Sequence, residues 1–324
     1  MKHLLFLSAL IFVLAGCAGK EFYETEDTVG NYDNNKASLN GNIISMNKDG
    51  ATLDSGEIIT KRGVSKFKIP EGYSFLNISD NIVISSNYKD KVLLDEKEIQ
   101  VGGVVVAATL KENKLALLFS NNSIQIYDMN SEKVVLKEYF THSFVNDTRI
   151  ANPYFMSNII LFPTLDGKVV VVSEANNQII KNIVVDANGQ FNNIIFLDVI
   201  NDTLVAATGN KVISVGDGVL NIKDYNIRDI ITKGETIYIA TIDGQIIKTD
   251  ISLNIMDRRK YKYAKFYALA YGTSLYALES QGYLINISDD FKSDTIYDFS
   301  FDNEQKVIAL GDTIYYEDES IVLK

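Results

Sequence analysis

The chain has 324 residues, 46% of them hydrophobic, with 42 acidic against 31 basic side chains and a net charge of −11. That length and apolar content suffice for a large core, while the acidity disfavours nucleic acid, whose phosphates need a basic footprint. One Cys, two His and no Trp exclude an internal disulfide and leave too few N and S ligands for a structural zinc site.

Met1, Lys2 and His3 precede an apolar run over residues 4–13 and then Leu14-Ala15-Gly16-Cys17. A basic start, an apolar core of about 12 residues and small residues before the cut make a secretory signal, too short to span a bilayer. Leu-Ala-Gly-Cys resembles a bacterial lipobox. The resemblance implies loss of residues 1–16 and lipidation of Cys17 by a diacylglyceryl thioether and an N-acyl chain of the palmitate type. The chain then has no free thiol, and its acyl chains hold it on a membrane.

Residues 17–40 carry Glu21, Glu24, Glu26, Asp27 and Asp33 among Asn and Gly. Such a segment offers little apolar surface to offset its ordering entropy and reads as a flexible tether. Ala18 and Gly19 follow the Cys. Neither is Asp, the residue that in enterobacterial sorting retains a lipoprotein in the inner membrane, so the expected address is the periplasmic face of the outer membrane.

Residues 41–324 alternate short runs of Ile, Val, Leu and Tyr with turn dipeptides, without a helical period. This is an all-β body, and it repeats. Residues 158–165, Asp166-Gly167 and residues 168–173 form a strand, a turn and a strand; so do the segments around Asp243-Gly244 and Gln281-Gly282. Asp-Gly suits a two-residue type I′ turn, which needs positive φ at both positions. Weaker copies turn at Asp49-Gly50, Lys89-Asp90, Asn121-Asn122, Gly209-Asn210 and Gly311-Asp312. Eight turns at a spacing of roughly 37 residues fall just below the 40–45 residues of a four-stranded propeller blade.

Further apolar runs at 75–78, 104–110, 154–156, 194–199, 227–231, 266–270 and 296–299 supply the remaining strand of each sheet. A closed ring buries both faces of every blade. The expectation is a β-propeller of eight blades, or seven if a terminal unit is partial. The first unit shows three strands after Asn42, and the ring closes through residues 36–39 or a strand from the far end.

Lipobox, polar tether and Asp-Gly repeats together resemble the BamB-type lipoproteins, propellers of the outer-membrane barrel-assembly machinery related in repeat type to PQQ-binding propellers. Asp166-Gly167-Lys168-Val169-Val170 and Asp243-Gly244-Gln245-Ile246-Ile247 match the first half of the PQQ-type blade. The second half is degenerate, and its usual Trp is absent. The resemblance implies a non-enzymatic, monomeric scaffold whose partner is an envelope protein complex. Alternatives are an accessory factor of another envelope complex or redox enzyme, and a propeller binding a ligand or polysaccharide over its channel.

No reaction is legible. His142 is the one imidazole left after signal removal, and it reads as a solvated loop residue. Gly216-Asp217-Gly218 and Ser288-Asp289-Asp290 read as turns rather than calcium loops, and no cofactor is expected. Two stretches stand out as candidate partner surfaces. Arg258, Arg259, Lys260, Lys262 and Lys265 crowd with Tyr261, Tyr263, Phe266 and Tyr267 into ten positions of an acidic chain; Arg and Tyr are enriched at binding hot spots. The plainer reading of this stretch is a charged outer strand. The longest interval between turns, Asn122 to Gly167, holds Tyr139, Phe140, Phe144 and Arg149, and extra loop length on a rigid scaffold is where function tends to sit.

Overall fold

The structure is a computed structural model and describes residues 21–33, 35–143, 149–187 and 192–324. Cys17 and Phe144 lie outside the described residues. Among the described residues the strands form eight four-stranded antiparallel sheets, each an up-and-down meander. Seven blades are continuous: residues 43–68, 74–100, 105–139, 154–184, 196–224, 227–260 and 266–298. The eighth takes Val307–Leu310, Thr313–Tyr316 and Glu319–Val322 and receives Lys36–Ser38 as its outermost strand, in the register Lys36↔Ile321 and Ser38↔Glu319. Of the two closures the sequence allows, the N-terminal one is used.

The middle strands are buried along nearly their whole length, as in Lys114–Phe119 and Leu275–Glu279. Fourth strands such as Lys133–Tyr139 are almost wholly exposed. The apolar side chains sort into eight clusters, each filling one seam between neighbouring blades. Ile308, Leu310 and Tyr315 of blade eight pack with Ala51, Leu53 and Ile59 of blade one, so the ring has no open face.

Six of the eight expected turns join the second and third strands. Asp49-Gly50 and Gly311-Asp312 instead join the first and second strands of blades one and eight. Blade one therefore has four strands after Asn42 rather than three, and the run at 296–299 belongs mainly to the last strand of blade seven, Asp294–Asp298. Both differences shift the phase within a blade, so the count of eight stands.

The Asp-Gly turns also differ from type I′. Gly167 and Gly244 have φ of 80° and 84°, while Asp166 and Asp243 do not have positive φ. Gly244 N–H donates to Thr241 O at 3.1 Å. The pattern is a type I turn followed by a left-handed glycine, the usual three-residue hairpin loop. Thr164 and Thr241 brace the two loops, each donating to the Asp two residues on. Paired positive φ occurs at Asp80-Asn81 and Asn201-Asp202, between first and second strands.

Residues 21–33, read from composition as part of a spacer, are seated on blade seven. Val29 N–H donates to Ile296 O, Asp298 N–H to Gly30 O and Tyr32 N–H to Asp298 O. Asn31 bridges Asp298 in parallel. Tyr23, 8% exposed, fills the seam of blades six and seven against Tyr261 and Tyr283. Tyr32, 4% exposed, fills the next seam against Tyr276 and Tyr297. Two buried rings and three backbone bonds supply the enthalpy that the acidic side chains of this strap do not.

A Cβ on Gly244 would stand 2.3 Å from Tyr261 O, whereas one on Gly218, at φ 77°, would meet nothing within 4 Å. In urea unfolding, Gly218→Ala is expected to cost about 1 kcal/mol, the left-handed penalty alone. Gly244→Ala is expected to cost at least about 3 kcal/mol, because the backbone must also move.

Candidate functional site: a plugged channel and a basic rim

The first strand of each blade lines the central channel. Five of these strands carry a bulge at a comparable point, among them Phe75/Asn77, Val105/Ala107 and Ile227/Asp229. A bulge re-aims side chains, and here it places Asn77 and Asp229 as channel polar groups. Asn77 Nδ2 donates to Ala108 O and Thr109 Oγ1, both at 3.0 Å, tying blade two to blade three.

Residues 149–153, the end of the long connection between blades three and four, enter the channel. Asn152 Oδ1 accepts from Ala108 N at 2.9 Å, and its Nδ2 donates to Asp49 Oδ2 at 2.6 Å and Leu76 O at 3.1 Å. Thr109 Oγ1 donates to Pro153 O at 2.6 Å. Arg149 donates to Arg228 O of blade six.

From blade one, Lys48 Nζ reaches Asp229 Oδ1 of blade six at 2.7 Å. Asp229 also accepts from Leu269 N at 2.7 Å and Ile230 N at 2.9 Å. Burial pushes the Asp229 carboxyl up. Lys48, then Arg149, then these hydrogen bonds outweigh it and hold the group below the ordinary carboxylate value.

These contacts divide the channel. A cavity of about 660 Å³ opens at the end of the first-to-second-strand turns, lined by Lys48, Asp49, Lys61, Asp198, Phe155 and Thr232 among others. Lys61 pairs with Asp49 at 2.6 Å, and that charge raises the Lys61 pKa. A smaller cavity of about 360 Å³, with Arg228, Tyr267 and Gln305 in its wall, opens at the opposite face. Among the described residues no three His, Cys, Asp or Glu side chains gather as a metal-holding group. Asp217 occupies a turn with φ 49°, and Asp290 accepts from Ser288 Oγ and Lys292 N within its own loop.

Strand alternation splits the basic cluster in two. Arg258, Arg259 and Lys260 end the outermost strand of blade six, Ile255–Lys260, and Lys262 and Lys265 lie in the connection to blade seven. Arg259 turns inward, pairing with Asp294 at 2.8 Å and donating to Phe291 O. Tyr261 donates to Asp294 at 2.8 Å, and burial followed by this bond raises its pKa. Lys260 is exposed but pairs with Asp243 at 2.7 Å; hydrogen bonds from Lys260 and Thr241 bring Asp243 down to about 2. Arg258, Lys262 and Lys265 are exposed, with Lys262 Nζ 4.5 Å from the Tyr263 ring centroid.

The remaining candidates do not join this cluster. Tyr139 is exposed on the outer strand of blade three beside Lys137, and Phe140 packs in the seam of blades three and four. His142 lies at the start of the long connection, followed by residues outside the described set. Sequence reading missed Lys48, Asn152 and Asp229, which meet only through the fold, and the strap tyrosines. It also missed the exposed apolar side chains on the outermost strands of blades five and six. Val219 is 55% exposed, Leu220 50% and Met256 58%, with Ile222 and Ile255 beside them.

The fold defines an eight-bladed β-propeller with an N-terminal closing strand and a plugged channel. No family model matches the chain. It is 28% identical to the plasminogen-binding protein PgbB of two Helicobacter pylori strains, over 91% of this chain and 64% of the relatives. The chain thus spans less than two thirds of their length. In structure it is similar to BamB from Moraxella catarrhalis, with a TM-score of 0.68 and 14% identity over 88% of this chain and 97% of that one. It is also similar to the C-terminal WD40 domain of Sif2, with a TM-score of 0.63 and 11% identity over 89% and 97%. The propeller of BamB type expected from the repeats is thus found as a fold.

Lys48→Met is expected to destabilise the protein by about 3 kcal/mol by leaving the Asp229 charge buried, while Lys48→Met with Asp229→Leu recovers most of the loss; chemical unfolding of the three variants checks this. Asp243 has a depressed pKa, so its stabilisation is present above the unfolded value of ~3.9 and is lost as pH falls toward about 2. Asp243→Asn is expected to cost under about 1 kcal/mol at neutral pH, because the pair is half exposed, and to flatten the acid limb between these values.

Proposed function

We propose that this chain is a non-enzymatic, lipid-anchored scaffold that holds protein partners at the cell envelope through the outer edges of its blades. The observation that carries this reading is the exposure of apolar side chains on the outermost strands of blades five and six, Val219, Leu220, Ile222, Ile255 and Met256, strands whose outer backbone edge pairs with no other strand among the described residues. Blade seven illustrates the chemistry: its own outer strand accepts an extended segment in parallel, residues 29–32. A partner strand added to blade five or six would gain the same backbone bonds, with side-chain pockets giving selectivity. Arg258, exposed beside that edge, favours an acidic partner.

The finer version is a BamB-like role in outer-membrane barrel assembly, with Cys17 lipidated and the body on the periplasmic face. The fold likeness and the lipobox support it. A second reading is favoured by the similarity to the plasminogen-binding protein: a surface that engages a host protein rather than an envelope complex. A photo-reactive residue at Leu220 or Met256 in cells distinguishes them. Cross-links to an outer-membrane assembly protein support the first, cross-links to added plasminogen alone support the second, and neither adduct removes the blade-edge reading. Cys17→Ala is expected to move the protein to the soluble fraction or leave it unprocessed. Normal processing with membrane retention through high salt removes the anchor.

A further inference from the structure

We infer that the rim at the seam of blades six and seven rests against the bilayer, with Lys262 and Lys265 facing anionic lipid headgroups. The inference rests on the reading of Cys17 as the lipid anchor.

Chain reach carries the argument. Tyr23 is buried between Tyr261 and Tyr283 and fixes the strap at that seam. Only five residues separate it from Cys17, and the six residue steps from one to the other span at most about 21 Å when fully extended. The anchor therefore cannot swing the ring freely, as an undocked tether of residues 17–40 would. It holds one rim of the disc at the membrane and keeps the opposite rim away from it.

The surface at that rim has the matching chemistry. The second-to-third-strand end of the seam presents Lys262, Tyr263 and Lys265 in the blade connection, all exposed, in a chain of net charge −11. Arg259 and Lys260 are already paired with Asp294 and Asp243, which leaves Lys262 and Lys265 as the exposed cations of the connection, with Glu21 of the strap close enough to act on Lys262. Basic side chains next to a lipid anchor are attracted to the negative surface potential, and a Tyr ring suits the headgroup layer. The same cluster elsewhere on the ring would read as an edge guard; its place within reach of the anchor gives it the lipid surface as partner.

The test uses the full acylated chain in phosphatidylcholine vesicles with and without phosphatidylglycerol. Acylation uses the one native Cys, so a fluorophore can be placed on Gln281→Cys or Ser252→Cys. Gln281 lies in the turn beside Tyr283, and Ser252 in the turn at the other end of blade six. The two sites are separated by a strand length of about 20 Å. Quenching by a headgroup-labelled lipid is expected to be roughly threefold stronger at Gln281 in anionic vesicles, and to weaken in neutral vesicles or with Lys262→Glu and Lys265→Glu together.

Equal quenching at both sites, on protein whose N-terminal peptide has the mass of the acylated form, overturns the orientation and returns the patch to a protein partner. Stronger quenching at Gln281 that ignores lipid charge and both substitutions overturns the headgroup assignment. An unacylated peptide removes the anchor reading and this inference with it, so the two failures are told apart.

Discussion

Everything in this molecule depends on closing the ring. A four-stranded blade cannot cover both of its own faces, and each of the eight apolar clusters exists only because the next blade supplies its other half. The last seam closes when Lys36–Ser38 pairs with Glu319–Val322, strands from opposite ends of the chain. Such pairing has a high loop-closure cost, met only after most other contacts form. The strap adds to this closure: Tyr32 fills the seam of blades seven and eight, and its hydroxyl accepts from Lys324 N–H at 3.1 Å. An N-terminal segment made first thus completes a blade made last.

Closure leaves a channel, and the fold occupies it. Lys48 and Asp229 come from blades three places apart in the ring, while Asn152 bonds to groups of blades one, two and three. Charges taken out of water are tolerated only when paired and bonded, and Asp229 meets that condition with one ammonium and two backbone donors. The plug therefore acts as a set of struts across the ring. The two cavities it separates are lined by side chains already engaged with one another, such as Lys61 with Asp49 and Thr232 with Asp198. This favours the outer surface over the channel as the place where partners act.

What was legible in the sequence follows from the range of each interaction. Blade number could be read because the turn between second and third strands is local: Thr-x-Asp-Gly at 164–167 and 241–244 carries its own hydrogen bonds. Phase failed at blades one and eight, where a turn dipeptide of similar composition sits one hairpin earlier. The basic cluster was visible as composition, but its division was not. Arg259 and Tyr261 point to Asp294 of the next blade, while Arg258 and Lys262 alternate outward. The plug was illegible because Asn152 and Asp49 are about a third of the chain apart. The strap was misread because its acidic residues hid the one feature that mattered, two aromatic residues at positions 23 and 32.

The strap also breaks the ring's pseudo-symmetry. Eight similar blades would present eight similar edges, each a template for unwanted strand pairing. The outer strand of blade seven is covered by residues 29–32, and that of blade eight is the N-terminal strand itself. Blades three to six keep exposed outer strands that mix apolar side chains with Lys133, Lys137, Lys181, Lys223 and Arg258. Cations on an edge deter self-association of like edges and leave an acidic strand as the favoured complement. The chain has thus covered the outer edges of blades seven and eight with its own N-terminal segment and left those of blades three to six available. A repeat protein gains a direction in this way: one side is committed to closure, and the other is left for binding.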